Sequence, residues 1–307
     1  MEQRKQVENW FKNLQDQICA GLTTLDGKSQ FREDLWDRAE GGGGRTRVMT
    51  NGNLIEKGGV NFSAVHGPLP EKIQKGLALS PSEFYATGVS IVLHPVNPWM
   101  PIIHMNVRYF ETTPLDQNEK GTYWFGGGID LTPHYITPED GGYFHHQLKT
   151  VCDQTDPSFY PRFKQWADDY FYIRHRKETR GVGGIFYDRL HPETEEKSFN
   201  TLWAFQQNVG NSFLPLYEYY AHKYRKKPYE EAHKNWQMVR RGRYVEFNLV
   251  WDKGTKFGLD TDGRTESILM SMPPLAQWHY DHQPLEDSPE AETLKWLKKD
   301  INWLDHA

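Results

Sequence analysis

The chain has 307 residues, with 36 Lys and Arg against 41 Asp and Glu and a formal net charge of −5, a balance that excludes a general nucleic-acid binder. Its two cysteines, Cys19 and Cys152, lie in no CxxC or Cys/His cluster. That speaks against a disulfide scaffold or a thiolate zinc site, and for a reducing, cytoplasmic setting.

The N-terminal stretch MEQRKQVENWFKNLQ is charged throughout, so no signal peptide is expected. No segment approaches the ~20 apolar residues of a membrane span. Val7, Trp10, Phe11, Leu14 and Ile18 keep helical spacing. A helix is predicted over 3–20, ending near Gly21 and Gly27. Residues 41–65 read as strands joined at Asn51-Gly52, a hairpin signal. Further strands are predicted at 88–94, 102–110, 123–131 and 181–190. Helices are predicted at 138–152, 157–178, 196–224 and 229–241, and another opening at Ser288-Pro289. The segments RYVEFNLVWD (243–252) and TESILMSMP (265–273) look strand-like. The order shows no regular βαβ alternation, so the fold class is α+β: one mainly antiparallel sheet of six or seven strands carrying helices. No Pro/Gly/Ser linker divides the chain, and 1–307 reads as a single domain.

The stretch GVSIVLHPVNPWMPIIHMNVRYF (88–110) carries the chemistry. With the two-residue period of a strand, Ile103, Met105, Val107 and Tyr109 share one face, and His104, Asn106, Arg108 and Phe110 the other. If the proline loop closes a hairpin, Ser90 and His94 join the polar face. Such a face is either a wet outer surface or the floor of a pocket for an anionic ligand. In YWFGGGIDLTP (123–133), Gly126 to Gly128 remove side chains where a sheet normally fills space, admitting another backbone or a flat ligand. Asp130 alternates away from Ile129 and Leu131, as a turn cap or a buried base. The tetraglycine at 41–44 lacks the GK[ST] ending of a phosphate loop. Arg174, Arg176 and Arg180, and again Arg240, Arg241 and Arg243, read as helix ends, whereas Gly263-Arg264 can present a guanidinium to a carboxylate. His94, His104, His145 and His175 stand in four segments with no local ligand pair.

Taken together, SIVLHP, HMNVRYF, WFGGGIDLTP, YPRFKQWADDYFYIRHR, RGVGGIFYD, RRGRYVEFNLVWDKGTKFGL and RTESILMSMPP resemble the oxygen-dependent coproporphyrinogen oxidase family, from about residue 36 to about residue 285. The resemblance implies a flat antiparallel sheet between helices, a homodimer, and oxidative decarboxylation of two propionates of coproporphyrinogen III to vinyls. Dioxygen is then the oxidant, CO₂ and H₂O₂ are released, and no organic cofactor is needed. It implies substrate contacts at Ser90, Asn106, Val107 and Arg108 and at Asp262, Gly263 and Arg264. His104 matches a proton donor. Asp130 and Arg108 match an acid and a guanidinium that handle pyrrole nitrogens and a propionate. His94, His104, His145 and His175 match positions that hold a divalent metal in bacterial members. The chain departs from the family at Asp262, where many relatives have Gly, and at Tyr143, where bacterial members often have His. The alternatives are a tetrapyrrole carrier without chemistry and a His-ligated metal oxygenase acting on another anionic ring.

Overall fold

In the computed structural model, which describes residues 2–260 and 263–306, the amphipathic period at the N-terminus becomes helix α1 (Glu2–Asp26). It runs past its predicted end because Gly21 is a crossing point, not a stop: a Cβ there would lie 2.4 Å from Leu214. The Asp26 carboxylate ends the helix, accepting the backbone N–H groups of Ser29, Leu54 and Ile55. That ties α1 to the Asn51-Gly52 turn, where Asn51 takes φ 58°.

The first strands are β1 (Arg32–Asp37), β2 (Gly42–Thr50) and β3 (Ile55–Pro68). Strand β1 escapes sequence reading because REDLWD is a charged edge strand with little buried on either side. After the short helix α2 (Glu71–Leu77) come β4 (Ser82–Pro95), β5 (Ile102–Pro114) and β6 (Tyr123–Thr132). Helices α3 (Pro138–Asp153) and α4 (Phe159–Tyr170) follow, then a minimal hairpin of β7 (Tyr172–Ile173) and β8 (Glu178–Thr179). The hairpin cuts short the helix predicted to 178, its turn formed by Lys177 at φ 57°. Strand β9 (Gly183–Leu190) completes one antiparallel sheet in the order β1-β2-β3-β4-β5-β6-β9. The chain continues through α5 (Pro192–Glu195), α6 (Phe199–Tyr224) and α7 (Glu231–Glu246) into a π-helical turn, Phe247–Trp251. Helices α8 (Lys253–Asp260), α9 (Thr265–Leu269) and α10 (Pro289–Trp296) end it.

Two strand expectations fail here. Residues 243–252 continue α7 and its π turn, and 265–269 are helical. Every residue from Trp236 to Tyr244 is buried, and Phe247 and Asn248 after them, so packing of the whole helix against the sheet overrides the β-branched and aromatic composition of RYVEFNLVW. The sheet still has seven strands, because β1 belongs to it and 41–65 supplies two.

One sheet face carries Val60, Val89, Ile91, Ile103, Met105, Val107, Ile129 and Ile185 into the main core. Helix α1 lies against β3 and β4 there, α6 against β5 and β6, and α4 against β9. On the other face, Tyr244 of α7 packs on Val92 and Ile102, and Met270 sits over Gly59. Helices therefore flank both faces, and the second face is covered only in part.

Candidate active site

The strand register builds this second face residue by residue. Across the sheet one row reads Asp34, Thr46, Asn61, Ser90, Asn106, Gly128 and Phe186. The next reads Trp36, Gly44, Ser63, Gly88, Arg108 and Gly126. The middle of both rows is Gly, Ser and Asn, a shallow polar floor. From β2 to β6 it spans roughly 19 Å at the usual strand spacing. Beyond it lies an aromatic shelf, with Phe110 stacked on Trp124 at 4.5 Å.

At the opposite end, the row Val92, His104, Asp130, Gly184 runs under α7. Arg180, just before β9, donates from Nη2 to both Asp130 oxygens at 2.8 and 2.9 Å. Its Nη1 donates to Asn248 of the π turn at 3.2 Å. The guanidinium is walled by the rings of Phe171 and Phe247, 4.3 and 4.7 Å away. The π turn, a distortion that recurs at functional sites, brings both Phe247 and Asn248 here. His104 stacks on Tyr244, with Nε2 2.8 Å from its hydroxyl and Nδ1 3.5 Å from Asp130 Oδ2.

Charge states follow from these contacts. Burial would raise the Asp130 carboxyl, but the Arg180 and His104 groups outweigh it and hold it below its ordinary value. Burial and then the charge of Arg180 push His104 down, against the pull of Asp130. The titration of His104 is thus moved away from working pH, and the resting ring is neutral. It would deliver a proton as a neutral N–H, not as imidazolium. Burial raises the Tyr244 phenol, which stays protonated.

Arg108 lies flat on the floor. Its Nη1 donates to Asn106 Oδ1 at 2.8 Å and its Nη2 to Asp188 Oδ1 at 2.9 Å. Gly126 makes room for this pair: a Cβ there would meet Asp188 Oδ1 at 2.7 Å and Arg108 Nε at 2.8 Å. Gly127 admits the Tyr187 ring on the core side, and Gly128 backs on Phe186. The glycine run is filled largely by the protein's own side chains.

Ser90, Asn106 and Arg108 share the half-buried floor, as expected. Val107 differs: its side chain is buried in the core of the opposite face, so only its main chain can meet a floor ligand. Arg264 lies at the far edge, donating to Asp34 Oδ2 at 2.5 Å. It helps line a pocket of about 340 Å³ with Arg32, Asp34, Thr46, Lys57 and Met270. Gly263 stands beside it, its N–H donating to Gly258 O. Asp262 lies outside the described residues. Arg45 and Arg47 pin α1 to the sheet through Gln15 and Asp16.

The four histidines do not assemble into a metal centre. His94 Nε2 donates to Ser271 O at 2.7 Å. His145 donates from Nε2 to Val182 O, and its Nδ1 accepts from Tyr160. His175 accepts from Trp251 at Nδ1 and donates to Glu246 from Nε2. Each ring is held by partners of its own. Among the described residues no three His, Cys, Asp or Glu groups are arranged to hold a metal ion. The expected ligand set does not fit one.

Sequence reading missed Arg180, Tyr244, Asn248 and Asp188. Arg180 reads in sequence as one of a cluster of helix-end arginines with Arg174 and Arg176, and Tyr244 and Asn248 as part of a strand that is not there. Asp188 was within reach, because Gly184, Phe186 and Asp188 alternate on β9 as His104, Asn106 and Arg108 do on β5.

Comparison with known proteins finds that the family described as coproporphyrinogen III oxidase matches residues 6–303. The chain is 46% identical to coproporphyrinogen-III oxidase 1, chloroplastic, of Arabidopsis thaliana, over 98% of this chain and 79% of that protein. It is 47% identical to the chloroplastic oxygen-dependent coproporphyrinogen-III oxidase of Glycine max, over 98% of this chain and 80% of that protein. It is 46% identical to the oxygen-dependent coproporphyrinogen-III oxidase of Prochlorococcus marinus, over 98% of this chain and 91% of that protein.

Proposed function

The chain belongs to the coproporphyrinogen III oxidase family, and from that premise we propose that the sheet floor holds coproporphyrinogen III beside the His104–Asp130–Arg180 corner. It is an oxidoreductase of haem biosynthesis that oxidatively decarboxylates its substrate with dioxygen as oxidant. Each reacting arm passes from –CH₂–CH₂–CO₂⁻ to –CH=CH₂ and CO₂, giving up two electrons and one proton. Dioxygen takes both electrons and, with that proton and one from solvent, leaves as H₂O₂. The reduced macrocycle is itself electron-rich, so the reading calls for no organic cofactor.

The observation that carries this reading is the flat Gly/Ser/Asn floor with Arg108 on one side and Arg264 on the other. An acidic protein must supply such guanidinium groups to hold a tetra-anionic ligand. On this reading Arg108 and Arg264 bind carboxylates, Ser90 and Asn106 meet the macrocycle edge, and main-chain atoms at 107 and 263 complete the contacts. Asp130, held ionised, accepts a proton that leaves the reacting ring, and the neutral His104 relays one, gaining a proton at one ring nitrogen as it gives one up from the other.

The test is conversion of coproporphyrinogen III by chelator-treated protein, in air and under nitrogen, scored by chromatography of the oxidised porphyrins and by CO₂ release. Divinyl product in air alone is expected, since the four histidines do not converge. Binding with no product would replace the enzyme by a carrier, and turnover only after adding Mn²⁺ or Fe²⁺ would restore the metal reading.

Two further points belong to the same proposal. Self-association as a homodimer is supported by Leu249, Val250, Leu275 and Trp278, large apolar side chains left exposed on the chain after α7. A cytoplasmic location is supported by Cys19 and Cys152, both buried and unpaired. No described helix is long and apolar enough to cross a membrane.

A further inference from the structure

We propose that Asp188 is a further substrate-binding residue, which accepts hydrogen bonds from the pyrrole N–H groups of the reduced macrocycle; this rests on the functional reading above. Two carboxylates stand on this face of the sheet near Arg108 and His104. The Asp130 side chain is 4% exposed. Both its oxygens accept from Arg180, and Oδ2 also accepts from Thr132. Enclosed in this way, it is placed to exchange a proton at the corner rather than to hold a ligand on the open floor.

Asp188 is the opposite case. Its side chain is 34% exposed, and it rests over Gly126 on the open part of the floor. Only Oδ1 has a partner among the described residues, Arg108. Its second oxygen is left to solvent or to a ligand.

A carboxylate is costly beside a substrate bearing four carboxylates unless it meets a donor. The one set of donors that a porphyrinogen carries is its four pyrrole N–H groups, which can tilt to one face of the flexible ring. Asp188, Arg108 and Asn106 form a line across β9, β6 and β5. That line offers an acceptor to the ring centre and a guanidinium to a peripheral carboxylate. The ligand class follows: a reduced tetrapyrrole, distinguished from an oxidised porphyrin, which keeps two N–H groups and turns two nitrogens into acceptors.

The experiment compares wild type, Asp188→Asn and Asp188→Glu by steady-state turnover of coproporphyrinogen III and by fluorescence titration with coproporphyrin III, the oxidised ring with the same four propionates. For Asp188→Asn, KM is expected to rise about tenfold or more, the loss of a charge-assisted hydrogen bond. kcat should fall far less, and coproporphyrin affinity should hold or tighten. Asp188→Glu, which keeps the carboxylate, should recover part of the selectivity for the reduced ring. Equal losses for both ligands would mean that Asp188 only aims Arg108, and would overturn the proposal, as would an unchanged KM. In either of those cases the wild type still converts coproporphyrinogen. A wild type that neither binds nor converts it overturns the functional reading, and this proposal with it.

Discussion

Asp130 and Arg180 stand 50 residues apart in the chain, and neither can be buried alone. A lone carboxylate in this corner would take up a proton, and a lone guanidinium would be left without a counter-charge. Arg180→Ala is therefore expected to destabilise the fold by about 3–5 kcal/mol, the cost of breaking a buried pair, read from the shift in urea midpoint. Asp130→Asn keeps the shape and removes the charge. If Asp130 acts as a base, kcat falls about a hundredfold or more while KM changes little. Parallel loss in both constants would turn Asp130 into a binding residue. The same kinetic split separates it from Asp188, for which the loss is expected in KM.

At the scale of elements, the floor depends on strand alternation carried across the seven-stranded sheet, with register shifts between Ile55 and Lys57 and between Phe125 and Gly127, together with glycine at one point of close approach. Gly126 lies under the Arg108–Asp188 pair with no room for a methyl group. Gly126→Ala is expected to displace both side chains and raise KM for coproporphyrinogen about tenfold, leaving the Asp130 corner intact; unchanged kinetics would show that the pair can shift freely. Most of these strands are readable from their two-residue period. Residues 243–251 are not, because a stretch of Tyr, Val, Phe, Leu and Val has high strand propensity in isolation. It becomes helix and π turn because Tyr244 and Phe247 are buried on the side facing Val92, Ile102 and Arg180. Propensity is local, and that burial exists only once the sheet is in place.

For the whole molecule, burial of histidine sets the response to acid. His94, His104, His134 and His145 are all pushed down, first by burial, His145 to about 3. Unfolded, each titrates near an ordinary value of ~6.5. Below that pH the unfolded chain takes up protons that the folded chain refuses. Stability is complete above it and falls as the solution is acidified, by about 1.4 kcal/mol per pH unit for a single such histidine. Denaturant midpoints should hold from pH 8 to about pH 6.5 and fall steadily from there to pH 5. His145→Asn should flatten that slope, whatever it does to stability at pH 8. Glu246, held at about 2 first against burial and then by Arg176 and His175, loses its own contribution only below the ordinary carboxylate range. The histidine loss begins first, and the two windows overlap only below the ordinary carboxylate range.

The sequence by itself determined the class of fold, the family and the polar face of β4 to β6. All three depend on periods and motifs confined to short stretches. Asn106 and Arg108 share a face because a strand alternates, whatever surrounds it. The tertiary structure alone decided which groups meet. It brought Arg180 to Asp130 and Tyr244 to His104, and kept the four histidines apart. It also left Asp188 open where Asp130 is closed. Partners such as these come from distant segments, and it is burial, a property of the packed sheet and its helices, that selects their charge and their roles.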